Sequence, residues 1–147
     1  MSKVRDVLSV KGDQVHTISE TSSVLEAVKR MNNLKIGCLV VMGEGGVPKG
    51  MITERDVLSR IATVANDLSS VAVGEVMTKS VIVCGLDDQV DQVRSIMKNQ
   101  SVRQLPVVAE DGKLLGIVSL GDVNSYLIGE EATEIKYLHD YIEGHVR

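Results

Sequence analysis

Gly50-Met51-Ile52-Thr53-Glu54-Arg55-Asp56 and Gly116-Ile117-Val118-Ser119-Leu120-Gly121-Asp122 are two copies of one string: a glycine, two apolar residues, a hydroxyl, two variable residues and an aspartate. They stand 66 residues apart, and the match extends without a gap from Ile18 to Val57. Ten of the 40 pairs are identical, among them Val24/Val90, Met31/Met97, Leu39/Leu105, Val41/Val107 and Gly50/Gly116. The chain is therefore an internal repeat. Solenoid arrays need several copies to bury a continuous core, so two copies this large are expected to pack as two subdomains.

Working outward from the string, each copy shows the same order of periodicities. In the first, VHTI (15–18) is a short strand, and Ser23 followed by Glu26 has the capping-box spacing that opens a helix. Val24, Val28, Met31 and Leu34 then form one apolar stripe at helical spacing. CLVVM (38–42) is a β-branched strand, GEGG (43–46) a turn, and GMIT (50–53) a strand returning antiparallel. Thr53 opens a second helix through Val57, Leu58 and Ile61. The second copy repeats the order with SVIV (80–83), a helix from Asp88 carrying Val90, Val93 and Met97, strand LPVVA (105–109), turn EDGK, strand LLGIVS (114–119) and a helix from Ser119. Each unit reads strand, helix, strand, strand, helix, which is the α/β class in its α+β form. Boundaries fall at 1–65 and 66–129, leaving 130–147 as a C-terminal helix. Its stripe Ile135, Leu138 and Ile142, with Tyr137 and Tyr141 alongside, has no partner within either repeat.

Composition removes several function classes. There is no Trp or Phe and there are three Tyr, so the core must be aliphatic and stacking platforms for bases are nearly absent. A formal net charge of -4 opposes binding to the phosphate backbone, so no nucleic-acid role is expected. No apolar run approaches membrane-spanning length and the first residues lack a signal-peptide core, so a cytoplasmic location and no membrane partner are expected. Cys38 and Cys84 sit in apolar runs and read as buried thiols. His16, His139 and His145 are scattered without a second ligand at metal spacing, and no nucleophile, base or phosphate-loop motif is present. Neither an enzyme nor a resident cofactor is expected.

The hydroxyl and the aspartate of each string admit two roles. Ser or Thr three residues before an acid is a capping-box pattern, so Thr53/Asp56 and Ser119/Asp122 can simply close helix starts. A carboxylate at that position can also accept both hydroxyls of a ribose diol, in charge-assisted hydrogen bonds. The two roles can coexist. Arg103, set in the apolar context SVRQLPVV, is either a strand-start residue reaching solvent or a planar fork for phosphate.

The paired strings, each closing a strand-helix-strand-strand unit in gapless register, resemble the CBS domain family, and their tandem arrangement resembles the Bateman module over roughly residues 1 to 129. The resemblance implies repeats packed through their sheets with pseudo-twofold symmetry, and two clefts that bind adenosine ligands. It also implies a homodimer and an unidentified partner protein that the module regulates. By position, one cleft is expected to combine Thr53, Arg55 and Asp56 with Ile82, Val102 and Arg103, and the other Ser119 and Asp122 with His16, Ile36 and Gly37. Both arginines fall on the Asp56 side, since Arg103 aligns with Gly37 and Arg55 with Gly121. That asymmetry favours AMP or ATP in the Asp56 cleft. The alternatives are a dimerisation module with vestigial clefts, or binding of S-adenosylmethionine or an NAD-type dinucleotide.

Overall fold

A computed structural model describes residues 2–63 and 67–142, apart from the side chains of 131–137 and 139–142. Helix α1 (Val4–Lys11) is followed by strand β1 (Thr17–Ser19), helix α2 (Val24–Leu34), strands β2 (Cys38–Met42) and β3 (Pro48–Thr53), and helix α3 (Glu54–Thr63). A short helix α4 (Val73–Val76) leads into α5 (Val90–Asn99), β4 (Gln104–Val108), β5 (Leu114–Ser119) and the long α6 (Leu120–Ile142). No helix among the described residues is long and apolar enough to cross a membrane.

The repeat is preserved down to hydrogen-bond register. Leu39 pairs with Ile52 and Val41 with Gly50, as Leu105 pairs with Val118 and Val107 with Gly116, and the same register shift follows Val41 and Val107. Leu39, Ile52, Leu105 and Val118 are fully buried. Burying an aliphatic side chain of that size contributes about 1.5–3 kcal/mol, so these strand residues carry much of the fold. Cys38 Sγ donates to Gln104 Oε1, and the two residues occupy matched positions in the repeats. The two sheets therefore touch each other at equivalent points, as a pseudo-twofold relation requires.

The expected strand SVIV is not formed as such. In the first repeat β1 runs parallel to β2, and the Val40 N–H donates to the His16 carbonyl at 3.1 Å. The residue matching Val40 is Pro106, which has no N–H to give to Ile82. The pairing shrinks to a single bridge between Cys84 and Val107, in the register of Ile18 and Val41. The Ile82 carbonyl thus receives no hydrogen bond from the described residues.

Two helices that the sequence reading did not assign, α1 and α4, cross between the repeats. Val4, Val7 and Leu8 of α1 lie in the core of the second repeat with Val90, Val93 and Leu105, while Val71, Val73 and Met77 lie in the core of the first with Val24, Leu39 and Ile52. The stitching is the same on both sides. Val90 N–H donates to Ser2 O and Val4 N–H to Asp88 O, matching Val24 N–H to Val71 O and Val73 N–H to Ser22 O. Each leading segment therefore completes the repeat it does not precede. Helix α6 runs unbroken through Gly129, so the segment expected as a separate C-terminal helix continues the last helix of the repeat. Leu138 is 53% exposed, and the side chains of Ile135, Tyr137, Tyr141 and Ile142 lie outside the described residues.

Candidate functional site

Both hydroxyl-aspartate pairs sit where a strand turns into a helix. Thr53 ends β3 and Ser119 ends β5, and the next N–H in each repeat, Glu54 or Leu120, is taken by the carbonyl of Gly37 or Arg103. Asp56 N–H donates to Thr53 Oγ1 at 3.3 Å while Asp56 Oδ2 accepts from Thr53 N–H at 2.9 Å, and Ser119 and Asp122 form the same reciprocal pair. The capping role is therefore real in both copies. It occupies Oδ2 of each aspartate and leaves Oδ1 as the oxygen with capacity to spare.

The surroundings of the two aspartates differ. Among the described residues Asp56 Oδ1 accepts only the Thr78 hydroxyl, at 3.2 Å, a neutral group that can rotate away. The carboxylate opens into a cavity of about 630 Å³ between the repeats. Its walls include Thr53, Arg55 and Asp56 from the start of α3, Ile82 from the weakened strand, and Val102 and Arg103 ahead of β4. All six residues expected on this side are brought together. Gly37, expected in the other cleft, lines this one, with its carbonyl tied to the first N–H of α3. The sequence reading missed Thr78. An offset of 69 instead of 66 would have revealed it, since Val4-Arg5-Asp6-Val7-Leu8-Ser9 parallels Val73-Gly74-Glu75-Val76-Met77-Thr78.

At the second aspartate, Lys11 from the end of α1 places its ammonium 2.6 Å from Asp122 Oδ2 and 2.8 Å from the Ile117 carbonyl. A partly buried cation already serves this carboxylate. His16 and Ile36 do not line the Asp56 cavity; the His16 carbonyl is spent on β2 and Ile36 packs on the first core. Burial raises the Asp122 carboxyl, but the Lys11 bond, the Ser119 bonds and the Lys11 charge outweigh it, so the group lies below the usual carboxylate range. A depressed value means stability that is present above the unfolded carboxyl value and lost as pH falls through the folded one. Acidification below about pH 4 should therefore weaken the fold through this pair. Replacing Lys11 with Gln should flatten that part of the profile, read as the urea midpoint against pH. A variant profile parallel to the wild type would refute the role of Lys11.

Burial pushes the Cys38 thiol up to about 11, partly offset by Lys11, and pushes Cys84 up to about 12, so both stay protonated as free buried thiols. Among the described residues, no group of three or more His, Cys, Asp or Glu is placed to hold a metal ion.

Comparison with known proteins agrees with this architecture. The family described as CBS domain matches the chain twice, over residues 4–63 and 73–129. The CBS domain-containing protein CBSX3, mitochondrial, of Arabidopsis thaliana is 32% identical over 149 residues, covering 96% of this chain and 72% of that protein. The uncharacterized protein MK0525 of Methanopyrus kandleri is 32% identical over 125 residues, 83% of this chain, and the chain spans 64% of that relative's length. Among solved structures, the CBS-domain containing protein ATU1752 from Agrobacterium tumefaciens has a TM-score of 0.79 at 36% identity, covering 85% of this chain and 98% of that one. The CBS domain pair of protein MJ0100, solved in complex with methylthioadenosine and S-adenosyl-L-methionine, has a TM-score of 0.72 at 26% identity, covering 88% and 98%. Two matched repeats, their shared register and these relatives give one answer: the chain belongs to the CBS domain family, whose paired domains are regulatory modules and generally not catalysts.

Proposed function

We propose that this protein is a non-enzymatic sensor that binds an AMP-, ADP- or ATP-type ligand in the Asp56 cleft and passes its occupancy to a partner protein. The observation that carries the reading is that Asp56, Arg103 and Ile82, whose carbonyl receives no hydrogen bond among the described residues, line one cavity between the repeats. These supply acceptors for a ribose diol, an acceptor for the exocyclic amine of adenine, and a planar donor for phosphate. Asp122, held by Lys11, is the weaker site, so one ligand per chain is expected.

A second reading has its own support, since the MJ0100 pair was solved with S-adenosyl-L-methionine. That ligand is a cation without phosphate, and Arg55 and Arg103 in the cavity wall disfavour it. Melting with AMP, ATP and S-adenosylmethionine separates the two. A true ligand at a hundred times its dissociation constant stabilises the fold by about 2.7 kcal/mol. AMP or ATP should give that shift. A shift with S-adenosylmethionine alone would install the second reading, and no shift with any of them would leave the clefts vestigial.

The same protein is proposed to be a homodimer joined through α3. Leu58 and Ile61 lie one turn apart on that helix and are 66% and 53% exposed. A second copy of the same helix covers such a stripe by twofold pairing. Light scattering should give twice the chain mass, falling to one for the double variant Leu58→Glu, Ile61→Glu. A wild-type monomer, or a dimer untouched by both charges, would remove α3 from the interface.

A further inference from the structure

Beside the Asp56 cavity lies a second hollow of about 760 Å³, and the two share Arg55, Ser101, Val102 and Arg103 as a common wall. The two hollows adjoin across that wall, an inner one at Asp56 and an outer one beyond it. The outer compartment adds Arg94 and Lys98, which stand four residues apart on α5 and so project from one face of it. Four of the chain's 16 basic residues therefore line this hollow, and no carboxylate does, in a protein of net charge -4. None of the four is ion-paired among the described residues. Like charges gathered without counter-charges repel one another, so an anionic occupant would relieve the arrangement.

The repeat supplies an internal control. The positions matching Arg55, Arg94, Lys98 and Arg103 are Gly121, Val28, Asn32 and Gly37, none of them charged. The matching surface of the first repeat instead carries Lys29 and Lys35 with Glu54 among them. The four-cation cluster belongs to one cleft only, the one whose aspartate is not neutralised by Lys11.

We propose that this outer compartment is a polyphosphate annex to the Asp56 cleft, so that the chain favours nucleotides carrying a chain of phosphates over a nucleoside monophosphate. The inference rests on the adenosine reading of the Asp56 cleft for the identity of the ligand, but not for the anion site itself. Arg103 stands on the shared wall and is placed for the first phosphate. Arg94 and Lys98 are reached only by a longer chain. All four side chains are solvent-exposed, so each contact is modest and sensitive to salt, and their sum favours ATP over AMP by about tenfold.

Calorimetry with AMP, ATP and inorganic tripolyphosphate, on the wild type and on the double variant Arg94→Gln, Lys98→Gln, tests this. The expected result is an ATP preference of about tenfold, reduced to about twofold in the variant, with AMP affinity unchanged. Tripolyphosphate, which carries the chain without the adenosine, should bind the wild type weakly and lose that binding in the variant. Equal wild-type affinities for AMP and ATP, or a preference that survives the double substitution, would overturn the annex. Tripolyphosphate binding without any AMP binding would support the annex and fail the adenosine reading instead. The absence of tripolyphosphate binding by the wild type would count against the annex whatever AMP does.

Discussion

Replacing Asp56 with Ala is expected to weaken AMP or ATP binding by about 10- to 100-fold, whereas Asp122→Ala should change it by less than about threefold. The expectation follows from what each carboxylate already does. Asp56 Oδ1 gives only one hydrogen bond's worth of acceptance to Thr78, and a ribose diol can displace that neutral hydroxyl. A hydrogen bond to a charged group contributes about 1.5–3 kcal/mol, which is the range quoted. At Asp122 the Lys11 ammonium, 2.6 Å from Oδ2, already neutralises the carboxylate, so its remaining oxygen is a weaker acceptor for a diol. Both substitutions also remove a capping acceptor, at a cost of about 0.5–2 kcal/mol to the fold. That shared cost is the useful control, because stability should fall in both variants while affinity falls in one. Asp122→Ala should be the less stable of the two, since it strands Lys11 as well. Arg103→Ala should weaken the phosphate ligand by about tenfold, nearer the low end because the side chain is exposed. Titration calorimetry well below each melting temperature decides the matter. Equal losses from Asp56→Ala and Asp122→Ala would sink the asymmetric account.

The parts of this molecule that could be read from sequence were those fixed by short-range rules. Strand pairing followed from the run CLVVM and its copy QLPVV, because β-branched residues and a one-residue register leave few alternatives. The start of α2 followed from Ser23, whose hydroxyl accepts from Glu26 N–H. What could not be read were consequences of one residue acting on a distant segment. Pro106 removes a donor from the partner of SVIV, and apolar periodicity in SVIV alone carries no trace of that loss. The N-terminal segment precedes the first repeat and serves the second, so its apolar residues have no partner nearby in sequence to mark them as core. The same crossing hid the neutralisation of Asp122, which depends on a lysine 111 residues away. The Asp56 cleft was legible for the opposite reason. Its charged residues are absent from the matching positions of the other repeat, and a gapless alignment displays such differences directly.

A second large effect is expected from Gly50→Ala, and a much smaller one from Gly116→Ala, although the two glycines occupy the same place in the repeat. A methyl group added at Gly50 would sit 2.6 Å from Met77 Sδ and 2.8 Å from the Thr78 carbonyl. The sulfur can move, but the carbonyl belongs to a segment pinned to β3, where Met51 N–H donates to Thr78 O and Thr78 N–H to Met51 O. Relief therefore means lifting that segment, with the loss of both bonds and of the Thr78 hydroxyl from Asp56. Overpacking of this kind costs about 1–3 kcal/mol, and the backbone clash puts Gly50→Ala at the upper end. At Gly116 the nearest atoms are the two Leu8 methyls, at 3.3 and 3.4 Å, and the Asp13 carbonyl at 3.6 Å. A leucine tip can give a few tenths of an ångström. Neither glycine has a positive φ that would penalise alanine, and restricting the unfolded chain returns about 0.4–1 kcal/mol. Gly116→Ala should therefore be within about 1 kcal/mol of the wild type, on either side of it. Urea denaturation measures both values, and Gly50→Ala should also bind AMP less tightly because the lifted segment carries Thr78, Ser80 and Ile82 of the cavity wall. Similar costs for the two alanines would mean that the segment after α4 yields as easily as a leucine side chain, and the rigid wall assigned to the Asp56 cleft would be lost with it.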